Sequence, residues 1–309
     1  MNIVHKLVFW ILFFSTLGAI AFKGLKTERE VIKFKEKSIF EKLNFKSKTI
    51  FYIGSSRVMM GINTDLLNDS LTEWKSINIG VPGSSLAQNL YLANFLKNKP
   101  GNKVLFIELS RYKKNRLNAT ATKALGFSNY LDSYNEYIHV NPSVASVVKN
   151  WEFSFWEWLN KKQNAIKQLI FPEKKVKYEV IGFNPNNASN YRKTDSFITQ
   201  KDKLNFANGS IDSEAMGKIH ELLTVLVNSK CKVIFLLPMT SLEKSELKFS
   251  IPIFEAIPIN NKWNYDSSFI QAISHPKYLA DKNHLNYQGS VVYTQGLVNY
   301  IKANEKNWQ

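Results

Sequence analysis

Two short apolar runs, each cut off by glycine and paired small hydroxyls, constrain this chain more than any other feature. Thr49 to Ile53 (TIFYI) stops at Gly54-Ser55-Ser56, and Ser76 to Ile79 (SINI) stops at Gly80-Val81-Pro82-Gly83-Ser84-Ser85. An unbroken apolar run of this length reads as a strand buried on both faces, the state of a parallel strand covered by helices. Helix-patterned segments follow both turns, one starting near Val58 and running to Leu67, the other from Leu86 to Leu96, so strand, turn and helix occur twice in succession. Lys103 to Leu109 (KVLFIEL) and Lys232 to Leu237 (KVIFLL), closed by Pro238, supply a third and a fourth strand. Between them Asp212 and Ser213 precede a helix whose Ile219, Leu222, Leu223 and Leu226 share one face. The alternation predicts an α/β protein of three layers, α/β/α, with a central parallel sheet whose sites lie at the carboxyl ends of the strands.

The span 113–210 breaks this rhythm and reads as a helical, aromatic-rich insertion. Trp151, Phe155 and Trp158 recur at helical spacing there, as the core of an inserted subdomain or as the lining of a substrate groove or lipid contact. Asn184-Pro185-Asn186-Asn187 reads as a loop. At the other end of the chain Leu7 to Phe22 (LVFWILFFSTLGAIAF) carries no charge and is flanked by Lys6 and Lys23. Sixteen residues make about 24 Å of helix against a hydrocarbon core of about 30 Å, a gap that snorkelling lysines close. Residues 1–25 are therefore expected to be a membrane anchor or, given Ala19-Ile20-Ala21, a cleaved signal peptide, with the rest of the chain facing the periplasm or cell exterior. Residues 26–48 read as a connector and 49–309 as the α/β domain with its insertion.

The 309 residues carry 41 Lys and Arg against 25 Asp and Glu, a formal net charge of +16. The lysines are scattered and no arginine-rich block or nucleic-acid motif appears, so no nucleic-acid partner is expected. Cys231 is the sole cysteine, which excludes an intrachain disulfide and a cysteine-held metal, and its setting reads as a buried strand thiol. No metal or organic cofactor is implied.

The chemistry-bearing residues sit at the predicted strand ends and near the C-terminus. Ser55 and Ser56 follow the first strand, and Asp281-Lys282-Asn283-His284 stands just before a helix expected from Tyr287. An aspartate three residues before a histidine in one loop can hydrogen-bond the imidazole, fix its tautomer and leave the other nitrogen free to take a proton from a hydroxyl. His275, before Pro276, and His220, in a helix, read as structural. Glu108, at the end of a buried strand, is expected to pair with Arg57 or Arg111.

Taken in order, Gly54-Ser55-Ser56, Gly80-Val81-Pro82-Gly83-Ser84, Glu108-Leu109-Ser110 and Asp281-Lys282-Asn283-His284-Leu285-Asn286 resemble the ordered blocks of the SGNH (GDSL) hydrolase superfamily. The likeness spans residues 49–301 apart from the insertion. It is nearest to the membrane-anchored branch typified by the D-alanyl transfer protein of teichoic acid synthesis and the alginate O-acetylation proteins. Carried over, the resemblance makes Ser56 the nucleophile, Gly83 a backbone N–H donor to the oxyanion, His284 the general base and Asp281 its orienting acid. Ser55 stands where most relatives have aspartate, and Arg57 follows the nucleophile where many carry an apolar residue. The third block, Gly-x-Asn-Asp in the family, reads Ser110-Arg111-Tyr112-Lys113, so Ser110 or Tyr112 is expected to supply a hydroxyl in place of the asparagine. Arg57 and Arg111 are expected beside the site, where they would hold an anionic sugar or leaving group.

The resemblance implies a serine-dependent esterase or O-acyltransferase acting on a cell-envelope or extracellular polysaccharide or other acylated polymer, with a membrane-bound acyltransferase as a partner. Two rivals stand beside it. One is an inactive module of the same fold that binds polysaccharide or a membrane partner; the other is a lipase or thioesterase with the 151–158 aromatic helix as an apolar lid.

Overall fold

The computed structural model describes residues 48–112, 182–187, 191, 196–225, 230–240 and 243–308. They fall within one compact unit formed by Asn44–Ala121 and Lys174–Gln309. The Leu7–Phe22 run, the connector up to residue 47, and the 151–158 aromatic helix lie outside the described residues. Among the described residues no helix is long and apolar enough to cross a membrane.

Five parallel strands form the sheet: β1 (Thr49–Gly54), β2 (Lys75–Gly80), β3 (Lys103–Glu108), β4 (Cys231–Leu236) and β5 (Lys262–Trp263). Their spatial order is β2-β1-β3-β4-β5, that of a flavodoxin-like doubly wound sheet. The expected α/β/α architecture is thus what the chain adopts. Ile50, Phe51, Tyr52 and Ile53 are fully buried, as are Val104 to Ile107 in β3, because helices cover both faces of the sheet there. Burial of each such apolar side chain contributes about 1.5–3 kcal/mol, which anchors the turn at the end of β1. Tyr52 and Phe106, partners in register, stack at 5.3 Å between ring centroids. β5 went unforeseen, since a two-residue strand has no period to read.

The helices follow the strands. The segment expected to run on from Val58 to Leu67 is two helices, α1 (Ser56–Gly61) and α2 (Thr64–Ser70). Asn63 divides them, its side chain accepting the N–H groups of Asp65 and Leu66 as an N-cap. The buried amide of Asn78 in β2 donates to the carbonyls of Val58 and Ile62, both at 2.8 Å, and so pins the end of α1 to the sheet. The helix α3 (Leu86–Lys97) follows β2 as expected. After the span 113–210, which includes a short helix α4 (Gln200–Phe206), comes α5 (Ser213–Val225). Asp212 caps α5 through Ala215 N–H, and Ala215, Ile219 and Leu222 are fully buried. The chain ends in α6 (Lys244–Ala256), α7 (Ser267–Ile273) and α8 (Tyr287–Asn304). Asn286 caps α8, and Thr294, Leu297, Val298 and Ile301 face the core.

In this strand order the chain reverses direction across the sheet between β1 and β3. Crevices outside the carboxyl ends of strands at such a switch point are where doubly wound folds hold their ligands. β1 delivers Ser55 and Ser56 to that point, and β3 delivers Glu108 and Ser110.

Candidate active site

Ser56 opens α1 directly after β1, so the buried strand fixes its backbone while its side chain is only half-buried. Gly54 makes the turn possible, because a Cβ there would lie 2.6 Å from Glu108 Oε2 and 2.3 Å from a Val58 methyl. Only glycine lets the carboxylate of β3 close onto the turn. Ser55, the N-cap of α1, accepts Arg57 N–H at its hydroxyl.

The histidine is held by a short closed loop. Leu279 and Leu285 pair as an antiparallel bridge, and Ala280 N–H donates to the His284 carbonyl at 2.9 Å. Within that loop Asp281 Oδ1 accepts the N–H groups of Asn283 at 2.8 Å and His284 at 3.0 Å. The spacing of the two residues follows from this turn. Both carboxylate oxygens lie 2.9 Å from His284 Nδ1. Burial pulls the Asp281 carboxyl upward, but the hydrogen bonds from Asn283 N–H and the imidazole outweigh it and hold the group below the ordinary aspartate range. A carboxylate on Nδ1 fixes the proton there and leaves a lone pair on Nε2. His284 Nε2 lies 2.7 Å from Ser56 Oγ, across 228 positions of sequence.

A cavity of about 270 Å³ opens beside this pair. Gly83, Ser84, Ser85, Ser110 and Arg111 border it. Gly83 has φ +73°, a left-handed conformation that a side chain would strain. The N–H groups of Ser56 and Gly83 make no hydrogen bond among the described residues. Ser85 is the N-cap of α3, its backbone N–H donating to Gln88 Oε1 at 2.9 Å.

Ser56, His284, Asp281, Gly83 and Ser110 thus come together. Ser110 is buried, its hydroxyl 3.3 Å from the Asn89 amide, which also donates to the Glu108 carbonyl. Asn89 itself, a residue of α3, was missed from sequence, because a single polar residue in an apolar helix carries no sign of what it will face. Of the two residues expected to supply a hydroxyl, Ser110 borders the cavity, whereas Tyr112 donates its phenol to Glu214 at 3.2 Å and does not border it. His275 caps a short 3-10 turn by accepting Lys277 N–H, and His220 is exposed on α5.

Arg57 is the main departure from expectation. All three guanidinium nitrogens are engaged within the protein: Nε with Glu108 at 2.7 Å, Nη1 with the Thr240 carbonyl at 2.9 Å, and both Nη1 and Nη2 with Glu246. Arg57 borders the cavity, as expected, while its guanidinium nitrogens are held by these internal partners. Burial alone would lower its pKa, but the Coulombic pull of Glu108 and the contacts with Glu246 raise it, so the guanidinium stays charged. The Glu108 partner was expected; Glu246 and Thr240 were not.

Compared with known proteins, the chain matches no protein-family model and no curated protein sequence.

Proposed function

We propose that this protein carries out acyl-ester chemistry, as an O-acyltransferase or esterase, on a cell-envelope or extracellular polysaccharide. The observation that carries the reading is the 2.7 Å contact between Ser56 Oγ and His284 Nε2, with Asp281 on the opposite ring nitrogen. Serine hydroxyl is a poor nucleophile until a base removes its proton, and this arrangement supplies the base already oriented.

In the proposed mechanism His284 Nε2 takes the Ser56 proton as Oγ attacks the acyl carbonyl. The resulting imidazolium is stabilised by the Asp281 carboxylate. The N–H groups of Gly83 and Ser56, which make no hydrogen bond among the described residues, receive the oxyanion, and Ser110 supports that side of the cavity. Protonated His284 then gives its proton to the leaving alcohol, and an acyl-Ser56 remains. Water or a sugar hydroxyl, deprotonated by the same imidazole, releases the acyl group. Esterase and transferase differ only in that final acceptor.

Five serines, two arginines, two glutamates and Asn283 border the cavity beside His284, a polar lining that favours a hydroxyl-rich carrier. The serine of a reactive site is labelled by a fluorophosphonate probe. Full-length wild-type protein should be labelled, Ser56→Ala not at all, and His284→Ala much more slowly. A folded wild type that takes no label would overturn the acyl-enzyme mechanism and leave a polysaccharide-binding module as the reading. Faster turnover of long-chain than of short-chain esters would point to a lipase or thioesterase instead.

A further inference from the structure

Ser56 and His284 are brought together by parts of the chain that share no secondary-structure element, so their separation is set by whatever links the two loops. Arg57 directly follows Ser56 in α1. Its Nη1 donates to the carbonyl of Thr240, in the loop after β4. The hydroxyl of the same Thr240, itself buried, donates to the carbonyl of Asn283. Asn283 precedes His284, and its N–H is bound by Asp281. An unbroken series of short polar contacts therefore runs from the nucleophile's neighbour to the base's neighbour.

We propose that Arg57 is a positioning residue, which through Thr240 braces the Ser56 turn against the His284 loop and so sets the Ser56–His284 contact. The anchor of this brace is stiff. Glu108, at the end of β3, accepts from Arg57 Nε, and Glu246, in the first turn of α6, grips both terminal nitrogens at 2.5 and 3.0 Å. A planar fork satisfies three acceptors in fixed directions at once, which the point charge of lysine does not. Reacting groups must be held within about 0.5 Å of productive geometry, and a displacement of about 1 Å costs on the order of a hundredfold in rate. A brace with two rigid anchors meets that demand where a single flexible loop would not.

The kinetic consequence rests on the serine chemistry proposed above; the geometric consequence does not, and the two are read separately in one experiment. Thr240→Val keeps the carbonyl and the shape and removes only the donor to Asn283. In full-length protein, imidazole ¹⁵N NMR of His284 reports the Nε2 contact without substrate, with Ser56→Ala marking its loss. Thr240→Val and Arg57→Lys should each move the Nε2 signal toward its Ser56→Ala position. Each should also slow fluorophosphonate labelling about ten- to a hundredfold, and the double variant should be no slower than the slower single one, because both break the same link. An unchanged Nε2 signal in Thr240→Val, with labelling at the wild-type rate, would overturn the proposal, and that variant decides the matter even if Arg57→Lys fails to fold. A wild type that shows the Nε2 contact yet takes no label would sink the serine chemistry alone, and the NMR comparison would still judge the brace.

Discussion

Glu108 grips Ser55 twice, accepting its backbone N–H at 2.5 Å and its hydroxyl at 3.1 Å, while also accepting from Arg57 Nε at 2.7 Å. One nearly inaccessible carboxylate thus fixes the residues on either side of Ser56. Its charge is matched by Arg57, and the remaining oxygen capacity is filled by Ser55, so the buried ion is both paired and solvated by the protein.

Removing that carboxylate leaves a buried guanidinium short of a partner and a Ser55 N–H with none. Glu108→Ala is expected to destabilise the fold by about 3–5 kcal/mol, measured as the change in urea unfolding free energy. Glu246→Gln, which keeps an acceptor oxygen for Arg57, should cost less than half of that. Equal losses in the two variants would show that Glu108 has no special place in the turn.

Gly83→Ala forces a Cβ into a left-handed conformation, a penalty of about 1–2 kcal/mol per residue. The peptide is expected to rotate in response and carry its N–H away from the cavity. Thermal unfolding should shift down by a few degrees, while fluorophosphonate labelling falls on the order of a hundredfold, the usual loss for one oxyanion donor. A stability loss with unchanged labelling would remove Gly83 from the oxyanion site.

The Asp281 carboxyl is held below its ordinary value, so its contribution to stability is fully present above its unfolded pKa, near pH 4, and is lost as pH falls through the lower folded value. The melting temperatures of wild type and Asp281→Asn should therefore differ by a constant amount above about pH 5 and converge toward pH 2. A gap that widened in acid would mean the sign, and with it the hydrogen-bonded carboxylate, is wrong.

Cys231 starts β4 at the amino end of the strand, away from the Ser56 end of the sheet, and burial pushes its thiol up to about 11. Thiolate is the reactive form, so alkylation by iodoacetamide at pH 8 should be slow in the native protein and rise in step with unfolding in urea. Alkylation of the folded chain should leave fluorophosphonate labelling unchanged. Rapid native modification would contradict the burial of β4.

What could be read from sequence was local in origin. The glycine-hydroxyl turns after β1 and β2 are written in adjacent residues, as is the Asp281–His284 spacing, because Asp281 bonds the N–H groups two and three positions on. The α/β/α layering follows from apolar runs alternating with amphipathic segments. Contacts that depend on strand order left no local trace: Arg57 meets Glu246 across 189 positions and Thr240 across 183. Placing Arg57 next to the site was therefore within reach of sequence, whereas its engagement by internal partners was not. Asn63 shows a smaller failure of the same kind, since an apolar pattern continued through a residue whose side chain caps a new helix.

The separation of Ser56 from His284 by 228 positions also has a meaning in time. A ribosome adds about 5–20 residues per second, so the serine emerges roughly 10–45 s before the imidazole that faces it. Throughout that interval the nascent chain holds a hydroxyl with no base, and the pair can form only once the Asp281–His284 loop has been synthesised. A chain cut between Trp263 and Asp281 contains all five strand segments yet lacks the base, so the chemistry proposed here waits on synthesis of the His284 loop.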